Sequence, residues 1–171
     1  MNYIAIDNGV SGSVALVKSN GKAFYQKTPT RKELNYTKRR RYINRIDFDK
    51  MYAILESFYG ECLGQVRCLV ERPMVNPQRF LASLSAVRSL EATLLVLEKL
   101  KIPYWFIDSK QWQRSMLPAG FLRTRGFKIN KSELKEASLI IGRRMFPQLV
   151  TDKMKDCDSL LLAEWGRRSK F

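Results

Sequence analysis

Histidine is absent from this chain of 171 residues, and cysteine and acidic residues are scarce. Without histidine, the sequence excludes catalytic pairs in which histidine activates a serine or a cysteine. The three cysteines, Cys62, Cys68 and Cys157, are an odd number without metal-type spacing, which leaves a zinc site or a disulfide framework without support. Any chemistry must therefore use carboxylates, lysines, hydroxyls or a bound cofactor.

Basic residues greatly outnumber acidic ones. The chain has 31 Lys and Arg against 16 Asp and Glu, which gives a formal net charge of +15. This excess is beyond what solubility requires and predicts a polyanionic partner. The apolar residues fall in short runs broken by charges, without a stretch that approaches a membrane span, so we favour nucleic acid over an anionic membrane surface.

The length predicts one domain that covers residues 1–171, because the chain can form one well-packed core but is too short for two ordinary domains. No internal repeat or low-complexity segment is visible. The N-terminal segment lacks the charged lead, long apolar region and small-residue cleavage site of a signal peptide, so we expect a cytoplasmic protein.

The apolar patterns predict an α/β domain with a mixed sheet covered by helices on both faces. Residues 27–45 carry many basic side chains and are interpreted as an exposed basic loop. The predicted elements are strands at 3–7, 13–17 and 23–26, a helix from Asp47 to Gly60, a strand at 66–71, a helix at 83–100, a strand at 103–108, a short helix around Trp112 that Ser109 caps, a helix through 134–141 and a last helix at about 158–167.

Two carboxylates end predicted strands. Asp7 ends the first strand, and Glu71 ends the strand at residues 66–71. A carboxylate at the buried end of a strand is costly unless it is paired or binds a cation. The alternative is that each is a turn residue where its strand reaches solvent. If the first hairpin folds outward, the two strands are neighbours and the carboxylates come together at one end of the sheet.

A second acidic pair, Asp156 and Asp158, stands where the last helix is predicted to begin. On that helix Asp158 shares a face with Leu161 and Trp165, so it points toward the core. Because aspartate is a preferred N-cap, one of the two acids could be only a cap. Three or four such carboxylates can hold two Mg²⁺ ions and support phosphodiester hydrolysis without histidine.

Several segments resemble the RuvC-type Holliday junction resolvases of the RNase H-like superfamily, and in particular their small bacteriophage members. Residues 7–16 resemble the first motif of the family, residues 71–73 its strand-four glutamate motif, residues 106–113 its fifth strand with the following segment, and residues 158–168 its final helix. This resemblance spans nearly the whole chain. It implies an RNase H-like fold with a mixed five-stranded sheet, in which strands 1–3 are antiparallel and strands 4 and 5 run parallel to strand 1.

The resemblance also implies an activity: a homodimeric endonuclease that cuts four-way and other branched DNA with two Mg²⁺ ions in each active site, for which Mn²⁺ can substitute. The expected metal ligands and catalytic carboxylates are Asp7, Glu71, Asp156 and Asp158. Lys110 is expected to act near the scissile phosphate. The residues expected to contact DNA are Arg39, Arg40, Arg41, Arg79, Phe80, Lys110 and Lys131.

One spacing departs from the family pattern. The family usually separates its last two acids by three or more residues, whereas Asp156 and Asp158 are two apart and would face opposite sides of a continuous helix. Asp156 can therefore join the site only if it precedes the helix, and Asp152 is a substitute candidate.

Several alternatives stay open. The chain could be a less selective RNase H-like nuclease, or a branched-DNA-binding protein with a weakened metal site. An actin-like ATPase would explain the loop from Asp7 to Ser13, but the chain is too short for the two-domain cleft of that superfamily. Phe80 could be a core aromatic, and the helix at residues 83–100 could be a dimer interface or entirely core.

Overall fold

A computed structural model describes residues 1–35, 38, 40–63, 65–117 and 131–171, and for Lys131 it describes only the backbone. The strands are β1 (Asn2–Asp7), β2 (Ser13–Val17), β3 (Ala23–Lys27), β4 (Thr30–Leu34), β5 (Tyr42–Ile46), β6 (Val66–Glu71) and β7 (Tyr104–Ile107). The helices are α1 (Phe48–Gly60), α2 (Phe80–Lys99), α3 (Ser109–Met116), α4 (Lys131–Met145) and α5 (Asp158–Ser169), and a 3₁₀ turn (Pro77–Arg79) precedes α2.

Five strands form the main sheet in the order β3-β2-β1-β6-β7. β1, β2 and β3 are antiparallel neighbours, and β6 and β7 run parallel to β1. This arrangement confirms the predicted mixed sheet. Ile6 lies opposite Val70, so the next residues along, Asp7 and Glu71, end neighbouring strands at the same edge of the sheet.

Helices cover both faces of the sheet. Alternate residues of its strands point to opposite sides, and each set belongs to a separate hydrophobic core. Tyr3 and Ala5 belong to the core formed with α3, α4 and α5, whereas Ile4 and Ile6 belong to the core formed with α1 and α2. Asp7 follows Tyr3 and Ala5 in this alternation. Its side chain is therefore directed to the face of the sheet on which α5 packs.

The prediction of a basic loop at residues 27–45 is wrong. Within this segment β4 and β5 pair as an antiparallel hairpin, which forms its own two-stranded sheet. The hairpin is stable despite its charge because Ile46 is buried in the core with α1 and α2, while Arg45 pairs with Glu33 across the strands at 2.6 Å. Charge density alone was a poor guide here, since basic side chains on a strand can point to solvent.

Two helix starts also differ from the prediction. Asp47 caps α1 as expected, accepting a hydrogen bond from the Lys50 amide. In contrast, Ser109 is the first residue of α3 and Asp108 holds the cap position. α2 begins at Phe80, three residues before the predicted start, because the 3₁₀ turn that follows Asn76 leads directly into it.

The expectation that no stretch approaches a membrane span is also wrong on composition. Pro77–Lys99 is long and apolar enough to cross a membrane by length and composition alone. Only Arg88 and Glu91 interrupt residues 80–97 with charge, so the charges are sparser in this helix than elsewhere. α2 nevertheless packs against α1 and β5 in this fold. Its surplus apolar side chains are exposed at Phe80, Leu81, Val87 and Leu95.

Candidate active site

Three aspartates meet at the end of β1. One carboxylate oxygen from each of Asp7, Asp156 and Asp158 lies within 4.8 Å of the others. Asp158 is the first residue of α5, and Asp156 lies two residues before it, outside the helix. The two acids therefore escape the opposite-face geometry of a continuous helix, and both reach Asp7.

Glu71 stands beside this trio at the end of β6. It is outside the group whose oxygens lie within 4.8 Å of one another, but burial, followed by the charges of Asp7, Asp158 and Asp156, raises its pKa. The indole N–H of Trp112 acts in the opposite direction and lowers it. Trp112 is fully buried, and its Nε1 does not complete a hydrogen bond with any described residue.

Burial and the neighbouring carboxylates make Asp7, Glu71 and Asp158 costly to ionise. Burial, followed by the neighbouring carboxylates, raises the pKa of Asp7 to about 7 and the pKa of Glu71 to about 9. Burial and the charge of Asp156 raise the pKa of Asp158 to about 6. Negative charge concentrated in a low-dielectric place is what a divalent cation compensates.

Lys135 on α4 supplies a positive charge within the cluster. Its Nζ lies 2.7 Å from Asp156 Oδ2, and its side chain is half exposed. This ion pair raises the pKa of Lys135, and the lysine charge lowers the pKa values of Asp7 and Asp158. Sequence reasoning missed this residue, because α4 is distant from the carboxylates along the chain.

Ser138, one turn further along α4, holds the two C-terminal acids in place. Its hydroxyl donates to Asp158 Oδ1 at 2.6 Å and accepts from the Cys157 amide at 3.0 Å. Gly142 follows on the same helical face, and a Cβ there would lie 2.4 Å from Cys157 Sγ. The spacing of Lys135, Ser138 and Gly142 on one face of α4 is the signal from which sequence reasoning could have found this support.

The loop after β1 folds back onto Asp7. A Cβ at Gly12 would lie 2.0 Å from the backbone oxygen of Asp7, so only glycine permits this approach. Ser13 then shares a buried hydrogen bond of 2.7 Å with Ser159 on α5. Asn8 donates to the Ala86 carbonyl of α2 at 3.1 Å. The loop therefore connects the carboxylates to α5 on one side and to α2 on the other.

The other predicted residues lie outside the cluster. Lys110 is exposed in the first turn of α3, directly after β7, and Arg40, Arg41 and Arg79 are exposed as well. Phe80 is 68% exposed, so the alternative of a core aromatic is wrong. Arg39 and the side chain of Lys131 lie outside the described residues.

Asp152 does not reach the carboxylate cluster. Its side chain is 98% exposed and pairs with Arg143 at 2.7 Å. The position that the sequence left open between Asp152 and Asp156 is therefore filled in the structure by Asp156, which is buried.

The cluster fits a divalent cation. All its donors are carboxylate oxygens, which are the hard ligands that Mg²⁺ and Mn²⁺ accept, and three of them converge within 4.8 Å. The raised pKa values of Asp7 and Asp158 indicate that unscreened negative charge at this site is unfavourable. Asp7, Asp156 and Asp158 are the residues that would hold the ion, with Glu71 adjacent.

Two solved structures are similar to this fold. T. thermophilus RuvC in complex with a Holliday junction substrate superposes with a TM-score of 0.59 at 13% identity, covering 99% of this chain and 96% of that chain. A further Thermus thermophilus RuvC structure gives a TM-score of 0.54 at 13% identity, covering 99% of this chain and 97% of that one. No family model and no curated protein matches the sequence. The chain therefore has the RuvC-like, RNase H-like fold that its motifs predicted.

Proposed function

We propose that this chain is a metal-dependent endonuclease that hydrolyses DNA phosphodiesters at four-way and other branched junctions. The observation that carries the proposal is the convergence of Asp7, Asp156 and Asp158 at the end of β1, beside Glu71, in a RuvC-like fold. The net charge of +15 supports a polyanionic substrate. The motif resemblance supports a role for this cleavage in recombination or phage DNA processing in a bacterial cytoplasm.

The catalytic roles follow from position. Asp7, Asp156 and Asp158 would hold Mg²⁺, and Glu71 is the fourth carboxylate, which would be available to a second ion. When bound, such a cation would supply Lewis-acid stabilisation of the phosphoryl oxygens and activation of water. Ser138 fixes the orientation of Asp158. Lys110, exposed at the same edge of the sheet, binds the phosphate next to the scissile bond.

A homodimer is part of this proposal, because paired nicks in a four-way junction require two sites related by a two-fold axis. α2 offers the surface. Val87 and Leu95 are exposed on one side of it, at 39% and 57%, although residues of its other side, such as Val96 and Leu97, are in the core. The helix thus has both an interior face and an apolar face that a second copy can cover.

The activity test uses labelled four-way junction, linear duplex and RNA/DNA hybrid, each incubated with the protein in Mg²⁺. We expect preferential cutting of the junction and a loss of at least a hundredfold for Asp7→Asn. Asp152→Asn is the matched control, because it removes an exposed aspartate outside the cluster. Equal cutting of duplex and junction would leave a nuclease but contradict the junction preference.

One observation favours a second candidate, a branched-DNA-binding protein without cleavage. Lys135 already compensates the charge of Asp156, so the trio has a weaker demand for a cation than four unpaired acids would have. Junction binding with no product in either Mg²⁺ or Mn²⁺ would select this candidate.

A further inference from the structure

A groove of about 460 Å³ lies between the β4–β5 hairpin and α2. Its apolar lining comes from both sides: the hairpin contributes Ile43 and Ile46, and α2 contributes Leu81, Leu84 and Ala92. The ring of Tyr42 also lines it and is 71% exposed. The hairpin thus forms one wall of a site, in the segment for which the sequence had predicted only a basic loop.

The groove lies close to the carboxylate cluster. Val10, in the loop between β1 and β2, lines the groove and is only three residues from Asp7. At most about 11 Å of extended chain therefore separates the Cα atoms of Val10 and Asp7. The hydrogen bond from Asn8 to the Ala86 carbonyl fixes this loop against α2. A strand whose phosphate lies at the carboxylates therefore has its neighbouring nucleotides within reach of the groove.

Polar groups around the apolar lining match a nucleotide. Arg41, Arg45 and Arg88 place positive charge along the groove, and the charge of Arg45 is partly compensated by Glu33. Guanidinium groups bind phosphates and stack on flat rings. Asn35 and Asn44 also line the groove, and an amide side chain can donate and accept hydrogen bonds. Asn35 Oδ1 accepts a hydrogen bond from the Arg41 backbone amide at 3.3 Å.

We propose that this groove takes one unpaired base of the DNA strand that passes the carboxylate cluster, with Tyr42 as a stacking platform. The inference rests on the proposed function. The volume lies within the roughly 300–1,000 Å³ typical of sites that enclose small molecules, so it fits a single nucleoside and excludes a duplex. The base must be unpaired by the protein, which costs less beside a strand crossover than within a linear duplex, because stacking is interrupted there. The groove thereby selects branched over continuous DNA.

The first test places 2-aminopurine one to three nucleotides from the crossover of a four-way junction and follows its fluorescence on binding. All proteins carry Asp7→Asn, so that the DNA stays intact. Ser85→Trp fills the groove from α2, and Tyr42→Ala removes the platform. We expect the protein that carries only Asp7→Asn to raise the 2-aminopurine fluorescence. Addition of either groove substitution should abolish this rise and weaken junction binding about tenfold. Tyr42→Phe, which keeps the ring, should restore it.

Ser57→Trp is the matched control, because Ser57 is exposed on α1 and does not line the groove. The salt dependence gives a second readout: loss of stacking should leave the slope of log affinity against log salt unchanged, whereas loss of a phosphate contact lowers it by about one. Fluorescence and affinity that are unaltered by both groove variants would overturn the proposal. So would dissociation of a dimer by Ser85→Trp, since a second copy would then be the occupant.

A photocrosslink removes any dependence on how the variants fold. Junction DNA with 5-iodouracil at the same positions is irradiated with the unsubstituted protein in EDTA, and the linked peptide is identified by mass spectrometry. Crosslinks to residues 41–46 or 81–92 support the groove, and crosslinks elsewhere contradict it. Cleavage by the unsubstituted protein is measured separately: if it cuts junctions but crosslinks elsewhere, only the groove fails, and if it does not cut, the proposed nuclease fails.

Discussion

The ionised carboxylates of the site oppose folding when no cation is bound. Burial and mutual repulsion raise the pKa of Asp158 to about 6, of Asp7 to about 7 and of Glu71 to about 9. Between their ordinary values and these values the folded chain binds more protons than the unfolded chain, so stability falls as the pH rises. In EDTA, the free energy of unfolding should therefore decrease from about pH 4 to about pH 9 on account of these groups.

Asp7→Asn should accordingly stabilise the protein while it removes activity. At pH 8 in EDTA, deletion of this charge should raise stability by roughly 2 kcal/mol, or Tm by about 4–8 °C. The measurement is thermal unfolding followed by circular dichroism at pH 4.5 and pH 8. Added Mg²⁺ should raise the Tm of the unsubstituted protein more than that of the variant.

The control for this experiment is Asp152→Asn, whose carboxylate is exposed and has a cationic partner in Arg143. We expect no gain in Tm for it at either pH. An equal or lower Tm for Asp7→Asn at pH 8 in EDTA would show that Asp7 is not a strained buried acid, and would remove the electrostatic argument for a cation at this place.

At the scale of the helix, α4 determines where the last two acids lie. Alanine at Gly142 would improve the intrinsic helix propensity by up to about 1 kcal/mol. Its Cβ would, however, lie 2.4 Å from Cys157 Sγ, and overpacking of this kind costs roughly 1–3 kcal/mol. The steric effect should therefore dominate, and relief of the clash moves the segment that carries Asp156 and Asp158.

Gly142→Ala should thus reduce the rate of junction cleavage at least tenfold and raise the Mg²⁺ concentration that cleavage requires. The domain should remain folded. Cleavage is measured as a function of Mg²⁺ concentration, beside the far-ultraviolet circular dichroism spectrum. Ile140→Ala is the control, because Ile140 is exposed on the same helix. Unchanged cleavage by Gly142→Ala would mean that α4 does not set the position of the acids.

The sequence predicted elements well where one pattern dominates. The run before Asp7 and the run before Glu71 are short and apolar, and these strands appear in the fold at nearly the predicted bounds. The β4–β5 hairpin was missed because its charged side chains obscured the alternation that buries Ile46. Lys135 and Ser138 were missed for another reason: their spacing places them on one face of α4, but it does not show that this face packs against the segment before α5.

At the scale of the whole molecule, α2 lines the groove and also exposes apolar side chains outside it. Leu84, Ser85 and Ala92 line the groove, whereas Val87 and Leu95 are exposed and do not line it. Val87 is rotated by roughly 160° from Ser85 about the helix axis, whereas Leu95 is rotated by only about 20° from Leu84 and lies about 16 Å further along the axis. A dimer contact at Leu95 is therefore adjacent to the Ala92 end of the groove, so the oligomeric state is measured for the groove variants as well.

Leu95→Glu should convert the proposed dimer into a monomer. Leu95 is 57% exposed, so the folded monomer tolerates a charge there, whereas a two-fold contact would place two glutamates together in an apolar interface. Molar mass from light scattering after size exclusion gives the oligomeric state. Ala53→Glu, at an exposed position of α1, is the matched control and should leave the molar mass unchanged.

Because paired nicks need both sites, the monomer should release singly nicked junctions rather than resolved duplexes. A dimer that survives Leu95→Glu would place the two-fold contact on another surface, and a monomer in the unsubstituted protein would contradict the dimer itself.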